Sequence, residues 1–214
     1  MQTAGMHSIW LFLLTCCYCV AQSVTVGVIG GGRLTNDVTS PTTPESRFYD
    51  VGATVELGLP HHLAVEVDAI YHRQGYLGGT GNTFGSITES ERANSLEFPI
   101  LLKYKLPLKA FVEAGVAPRA IFGTVTDSSY YLNAFASQLT SSTFSSKTKW
   151  PGSLGVVSGG GIQIGIGRLR LTPEVRYTWW TSRPINEFTM TDGQSLQSSR
   201  NQVDVLLGIS WKIR

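Results

Sequence analysis

Along residues 201–213, Val203, Val205, Leu207, Ile209, Trp211 and Ile213 share one phase of a two-residue period. Gln202, Asp204, Gly208, Ser210 and Lys212 share the other, with Leu206 the exception. A period of two predicts a strand. The same alternation recurs upstream, at 23–31 (Val24, Val26, Val28), 51–59 (Val51 to Leu59), 63–73 (Leu63 to Tyr71) and 96–106 (Leu96 to Tyr104). It returns at 109–122, 154–166 and 169–180. With 201–213 that makes eight strands, each near the ~9–11 residues that a tilted strand needs to cross a bilayer. A long last strand leaves one row of backbone groups unpaired unless the sheet closes on itself. The pattern therefore predicts an all-β fold, a closed antiparallel up-and-down eight-stranded transmembrane β-barrel.

The connections alternate as well. Those at 60–62, 107–108 and 167–168 are short. Those at 33–50, 74–95, 123–151 and 181–200 are long and rich in Ser, Thr, Gly and Asn, and read as loops. Short turns at one end and long polar loops at the other is the layout of an outer-membrane barrel.

Alternation alone does not say which phase looks inward, since a soluble lipocalin-like barrel places apolar residues inside. Three features choose lipid outside and a polar interior. The polar phase is rich in glycine (Gly27, Gly52, Gly58, Gly115, Gly155, Gly159, Gly161, Gly165, Gly208), which suits the narrow lumen of eight strands. Aromatics of the apolar phase cluster at strand ends, Tyr71, Phe122, Tyr177 and Trp179 at one and Tyr104 and Trp211 at the other, as two interfacial girdles. The polar phase carries both signs: Glu56, Glu66, Asp68, Glu97, Glu113, Glu174 and Asp204 against Lys103, Lys105, Arg119, Arg170, Arg176 and Lys212. Charges inside a narrow barrel must pair. Pro99, Pro118 and Pro173 interrupt the pattern, and a proline in a closed barrel is expected at a bulge.

Composition narrows the picture further. The 214 residues suit one barrel domain, over 22–214. Only 15% are charged, against about 25% in soluble domains. The net charge is +2, without a basic run, which argues against nucleic acid. Residues 9–21 form an apolar run too short to span as a helix. It fits a signal peptide over 1–21, with Cys19-Val20-Ala21 before Gln22 as the cleavage site. Lipidation of Cys16, after Leu13-Leu14-Thr15, is the alternative. All three cysteines, Cys16, Cys17 and Cys19, lie here, so the barrel can build neither a disulfide nor a cysteine zinc site.

Leu96-Glu-Phe-Pro-Ile-Leu-Leu-Lys-Tyr104, Phe111-Val-Glu-Ala-Gly115 and Leu171-Thr-Pro-Glu-Val-Arg-Tyr177 resemble strand segments of the small PorT-like or OmpA-like outer-membrane β-barrel domains. The resemblance implies an eight-stranded barrel in the outer membrane of a Gram-negative bacterium. The end Trp211-Lys-Ile-Arg214 departs from the terminal aromatic common in such barrels.

Chemistry is sparse in the pattern. His61-His62 sits in a short turn, where a solvated pair is the plain reading beside a metal site. His72 falls on the face of Asp68, which suggests an interior hydrogen-bonded pair rather than a catalytic dyad. Gly155-Val-Val-Ser158-Gly lacks the spacing of a nucleophile elbow, and Gly78-Gly-Thr-Gly81 lacks the helix and lysine of a phosphate cradle. The sequence therefore yields no catalytic, cofactor or metal residue and no enzyme activity. The expectation is a monomeric outer-membrane barrel of structural or surface-interaction type, its partner the bilayer, with any extracellular partner met by the long loops. A small pore for ions or solutes and a secreted soluble ligand-binding barrel are the alternatives.

Overall fold

The structure is a computed structural model. It describes residues 23–35, 38–39, 43–44, 49–82, 85–122, 124–133, 138–147, 152–182, 188–189 and 195–213, with side chains for 23–35, 49–73, 94–120, 152–182 and 199–213. The signal-peptide and Cys16 readings fall outside the described residues.

Among the described residues, twelve strands build the barrel and its extension: β1 Ser23–Arg33, β2 Tyr49–Gly58, β3 Leu63–Asn82, β4 Gly85–Glu97, β5 Ile100–Lys105, β6 Ala110–Phe122, β7 Thr124–Asn133, β8 Gln138–Lys147, β9 Ser153–Ile162, β10 Ile164–Ile166, β11 Leu169–Trp180 and β12 Asn201–Lys212. β4 and β5 form one stave of the barrel, and β9 and β10 another. Each stave pairs antiparallel with its neighbours in sequence, from β1–β2 to β11–β12. β12 then pairs with β1, from Thr25↔Lys212 to Arg33↔Asp204, and closes the ring at eight staves. Closure leaves the barrel without an edge, which is what the long final alternation requires.

The two phases face opposite surroundings. Val28, Val51, Val67, Leu102, Val156, Val175, Val205 and Leu207 are exposed on the outside, and Thr54, Glu66, Lys103, Glu113, Arg176 and Asp204 are buried within. A soluble barrel would have the reverse. Small apolar clusters interrupt the polar interior: Leu101, Ala117, Val157 and Trp180 in one, Ile29, Ile70 and Leu206 in the other.

Glycine makes the close packing sterically feasible where staves and inward side chains crowd. A Cβ on Gly115 would press on the Ile100 carbonyl and lie 2.9 Å from Leu101 Cα. A Cβ on Gly27 would meet Ser210 Cα at 2.6 Å. Such crowding is missing at Gly165, which has nothing within 4 Å, and at Gly208, which has only ordinary contact with Thr172.

Two expectations are corrected. The prolines cause no bulge. The pairing of the β4–β5 stave with β6 keeps one register across the break, Glu97↔Arg119 on one side and Ile100↔Val116 on the other. Pro173↔Leu207 and Leu154↔Pro118 likewise lie within unbroken ladders. Around the break, Phe98 N donates to Pro118 O at 2.9 Å and Asp68 N to Pro99 O at 3.0 Å, so the proline carbonyls still serve the ladder. Each ring removes a single donor, which the flanking bonds tolerate without an inserted residue.

The second correction concerns length. Much of 74–95 and 123–151, read as loops, is strand. β3 and β4 run on as a hairpin to Asn82↔Gly85, β4 pairs with β7 from Gly85↔Asn133 to Ser90↔Ser128, and β7 pairs with β8. Thr43–Pro44 adds a bridge to Tyr76 and Leu77. Among the described residues β8 has no partner on its far side. Sequences such as Thr140-Ser-Ser-Thr-Phe-Ser-Ser146 carry no apolar phase, so hydrophobic alternation does not reveal strands of that kind. At the other end, residues 60–62 and 107–109 and the Gly167-Arg168 turn are as short as predicted.

Candidate functional site: a charged barrel interior

The interior is organised by two cations. Arg176 on β11 reaches across the lumen to carboxylates on two other staves, β3 and β6. Nη1 donates to Asp68 Oδ2 at 2.6 Å, Nη2 to Glu66 Oε1 at 2.8 Å and Nε to Glu113 Oε1 at 2.9 Å. Nη2 also lies 2.6 Å from Glu174 Oε1. Lys103 on β5 stands among three of the same carboxylates, 2.8 Å from Glu66, 3.2 Å from Glu113 and 3.4 Å from Glu174. Its ammonium also sits 4.4 Å from the Phe111 ring centre. Four carboxylates thus share two cations, all buried.

Toward the long-loop end a second layer joins Arg33 and Arg119. Arg33 contacts Asp204 at 3.2 Å and Glu97 at 3.4 Å, and Arg119 contacts the same Glu97 oxygen at 2.8 Å. Arg119 stacks 3.4 Å over the Trp180 ring and donates to Gln202 at 2.7 Å. Trp180 Nε1 also donates to Gln202, and Gln202 Nε2 donates to Asp204. Toward the short turns a third layer holds Glu56 between Lys105 at 2.8 Å and Arg170 at 2.7 Å, with Gln163 donating at 3.0 Å.

Of the charges assigned to the interior, all but one are in these layers. Lys212 is exposed at the rim. Arg33, Asp50 and their contacts were missed, because both lie at the ends of a stretch read as loop. Phase could have found them, since Arg33 continues Thr25, Gly27 and Ile29, and Asp50 precedes Gly52, Thr54 and Glu56. His72 points inward as expected, but its partner is not Asp68. His72 Nδ1 lies 2.7 Å from Asp50 Oδ1, while Asp68 is taken by Arg176.

Asp50, His72 and Ser95 stand side by side on three adjacent staves, as Asp50↔His72 and His72↔Ser95. These are the residue types of a hydrolase triad. The serine hydroxyl, however, donates to the main-chain carbonyl of His72 at 3.2 Å rather than to its ring, and all three residues are buried. Glu66, Glu113 and Glu174 bring carboxylate oxygens within 4.8 Å of one another, close enough for a metal. The Lys103 ammonium contacts all three and fills the place such an ion would take. His61 and His62 are exposed on their turn.

Small spaces lie among the described residues of the interior. One, of about 20 Å³, lies between Thr25, Glu56, Thr172 and Ser210, and another, of about 10 Å³, between Asp50, Glu97, Gln202 and Asp204. Each suits a water or two.

No protein-family model matches the chain, and no curated protein matches its sequence. Solved structures do. A major outer membrane protein from Thermus thermophilus superposes with a TM-score of 0.47 at 13% identity, over 89% of this chain and 98% of that one. Ail, the attachment invasion locus protein of Yersinia pestis, solved with the heparin analogue sucrose octasulfate, gives 0.39 at 8% identity, over 89% and 97%. Neisserial surface protein A gives 0.39 at 8% identity, over 88% and 96%.

Proposed function

We propose that the chain is an integral barrel of a bacterial outer membrane, a structural element that presents a sheet at the cell surface. The inverted arrangement carries this reading: a predominantly apolar belt outside and a network of ion pairs within. An exposed belt of valine, leucine and isoleucine is costly in water and favourable in hydrocarbon. Tyr177 and Trp179 near one end, with Tyr104 and Trp211 near the other, stand on the outer surface where interfacial girdles belong. With the short turns in the periplasm, the sheet of β3, β4, β7 and β8 extends beyond the cell surface. The outer backbone row of β8, unpaired among the described residues, gives it a means of pairing with an extended segment of another protein.

A small pore is the second reading. The layered ion pairs, with only water-sized spaces such as those beside Thr25 and Asp204 between them among the described residues, favour a filled lumen over a conducting one. Alkaline carbonate extraction of cell membranes tests the location, with the protein expected in the pellet and a soluble protein counting against it. Planar bilayers test the lumen, with no stepwise conductance expected.

A further inference from the structure

The short-turn end of the barrel carries exposed positive charge that no carboxylate answers among the described residues. His61, His62, Lys109, Arg168 and Lys212 are exposed there, and no exposed Asp or Glu side chain accompanies them among the described residues of that end. Glu56, an inward carboxylate of the layer toward these turns, is buried and already held by Lys105 and Arg170.

Backbone geometry fixes the layout. The carbonyls of His62, Lys109 and Arg168 accept from Lys105 N, Gln163 N and Lys212 N, at 2.8, 2.8 and 2.9 Å. The last bond continues the Leu169↔Trp211 pairing and sets Arg168 across from Lys212. Like charges opposed on neighbouring strands repel. An anion from outside the protein relieves that repulsion.

The turns carry a second sign. His61, His62, Leu108 and Lys109 have φ of 60°, 65°, 62° and 64°. Glycine and asparagine suit two-residue turns of this kind. This chain instead keeps imidazoles, a lysine and a leucine there, and Leu108 is 94% exposed. A strained position that retains a large side chain points to a use for that side chain. Tyr104 and Trp211 stand on the adjoining belt, 46% and 50% exposed.

Cations beside interfacial aromatics, with an apolar side chain at a turn tip, match the phosphate layer of a bilayer leaflet. We propose that the short-turn rim binds anionic phospholipid headgroups, with Arg168 and Lys212 as the phosphate seat and Lys109 beside Leu108 as a second contact. The proposal rests on the membrane-spanning reading above and is continuous with it, because the belt already places the rim at headgroup level.

The test is lipid selectivity of the full chain reconstituted in phosphatidylcholine vesicles containing a minority of phosphatidylglycerol. Electron spin resonance compares spin-labelled phosphatidylglycerol with spin-labelled phosphatidylcholine. Wild type is expected to prefer the anionic lipid by roughly fivefold for a well-seated cation at low salt, less as salt shortens the screening length. The triple variant Lys109→Gln, Arg168→Gln, Lys212→Gln should bring the ratio near one, while Arg200→Gln at the opposite end leaves it unchanged. Equal association of both labels in the inserted wild type overturns the proposal. So does a triple variant that keeps its preference, or a preference for isolated murein with none for lipid. A chain that fails to form a barrel in vesicles counts against the membrane reading itself; an inserted barrel without selectivity counts against this proposal alone.

Discussion

Leu206 and Leu207, joined by one peptide bond, meet opposite surroundings. Leu206 is 3% exposed and packs inside with Ile29 and Ile70, while Leu207 is 47% exposed on the outer belt opposite Pro173. Leu206→Ala should leave an interior hole and cost about 2–5 kcal/mol. Leu207→Ala should cost less, because the alanine still faces hydrocarbon and no cavity forms. Leu207→Arg should cost about 2–4 kcal/mol, as a cation moved to the lipid face. Urea unfolding in lipid vesicles ranks the three. A larger loss for Leu207→Ala than for Leu206→Ala would reverse the face assignment.

Lys103 is the cation shared by Glu66, Glu113 and Glu174. Lys103→Met keeps much of the volume but strands carboxylates in a closed interior. Removing one partner of a buried ion pair costs about 3–5 kcal/mol. By contrast Lys212→Gln, at an exposed rim position, should stay within about 0.5 kcal/mol. Similar midpoints for both variants would show that the central network adds little.

Gly115 and Gly165 lie on the same inward phase but differ in room. Gly115→Ala drives a methyl against the Ile100 carbonyl and should lower stability by about 1–3 kcal/mol. Gly165→Ala meets nothing within 4 Å and should be neutral or slightly stabilising. Refolding yield and urea midpoint in detergent micelles compare them directly.

The β7–β8 hairpin is not part of the closed ring, since β6 pairs with β9 from Ser153↔Arg119 to Ile162↔Ala110 without it. Replacing residues 124–151 with a short Gly/Ser linker should leave a folded barrel, seen as strand circular dichroism and heat-dependent migration on gels. Loss of both signals would make the hairpin part of the folding unit. If the surface role is right, the same deletion removes binding by any partner that pairs along β8.

Much of the barrel was determined by the chain's own pattern. The eight alternating segments, the short turns, the inward charges and the outward valines and leucines were legible because a strand's two faces meet different solvents, and each face selects its residues locally. The placement of the apolar phase outside and the polar phase inside was legible too, from glycine in the polar phase and aromatics at strand ends. Which charges meet was not. Arg176 on β11 reaches Asp68 and Glu66 on β3 and Glu113 on β6, groups far away in the chain, because barrel closure brings those staves around a common axis. His72 pairs with Asp50 on the adjacent stave rather than with Asp68 on its own strand, a matter of register between strands that alternation along one strand does not carry. The extension of β3, β4, β7 and β8 beyond the ring was decided by backbone pairing alone. Where no apolar face must be buried, the residues no longer alternate, and only the hydrogen bonds between neighbouring strands reveal the sheet.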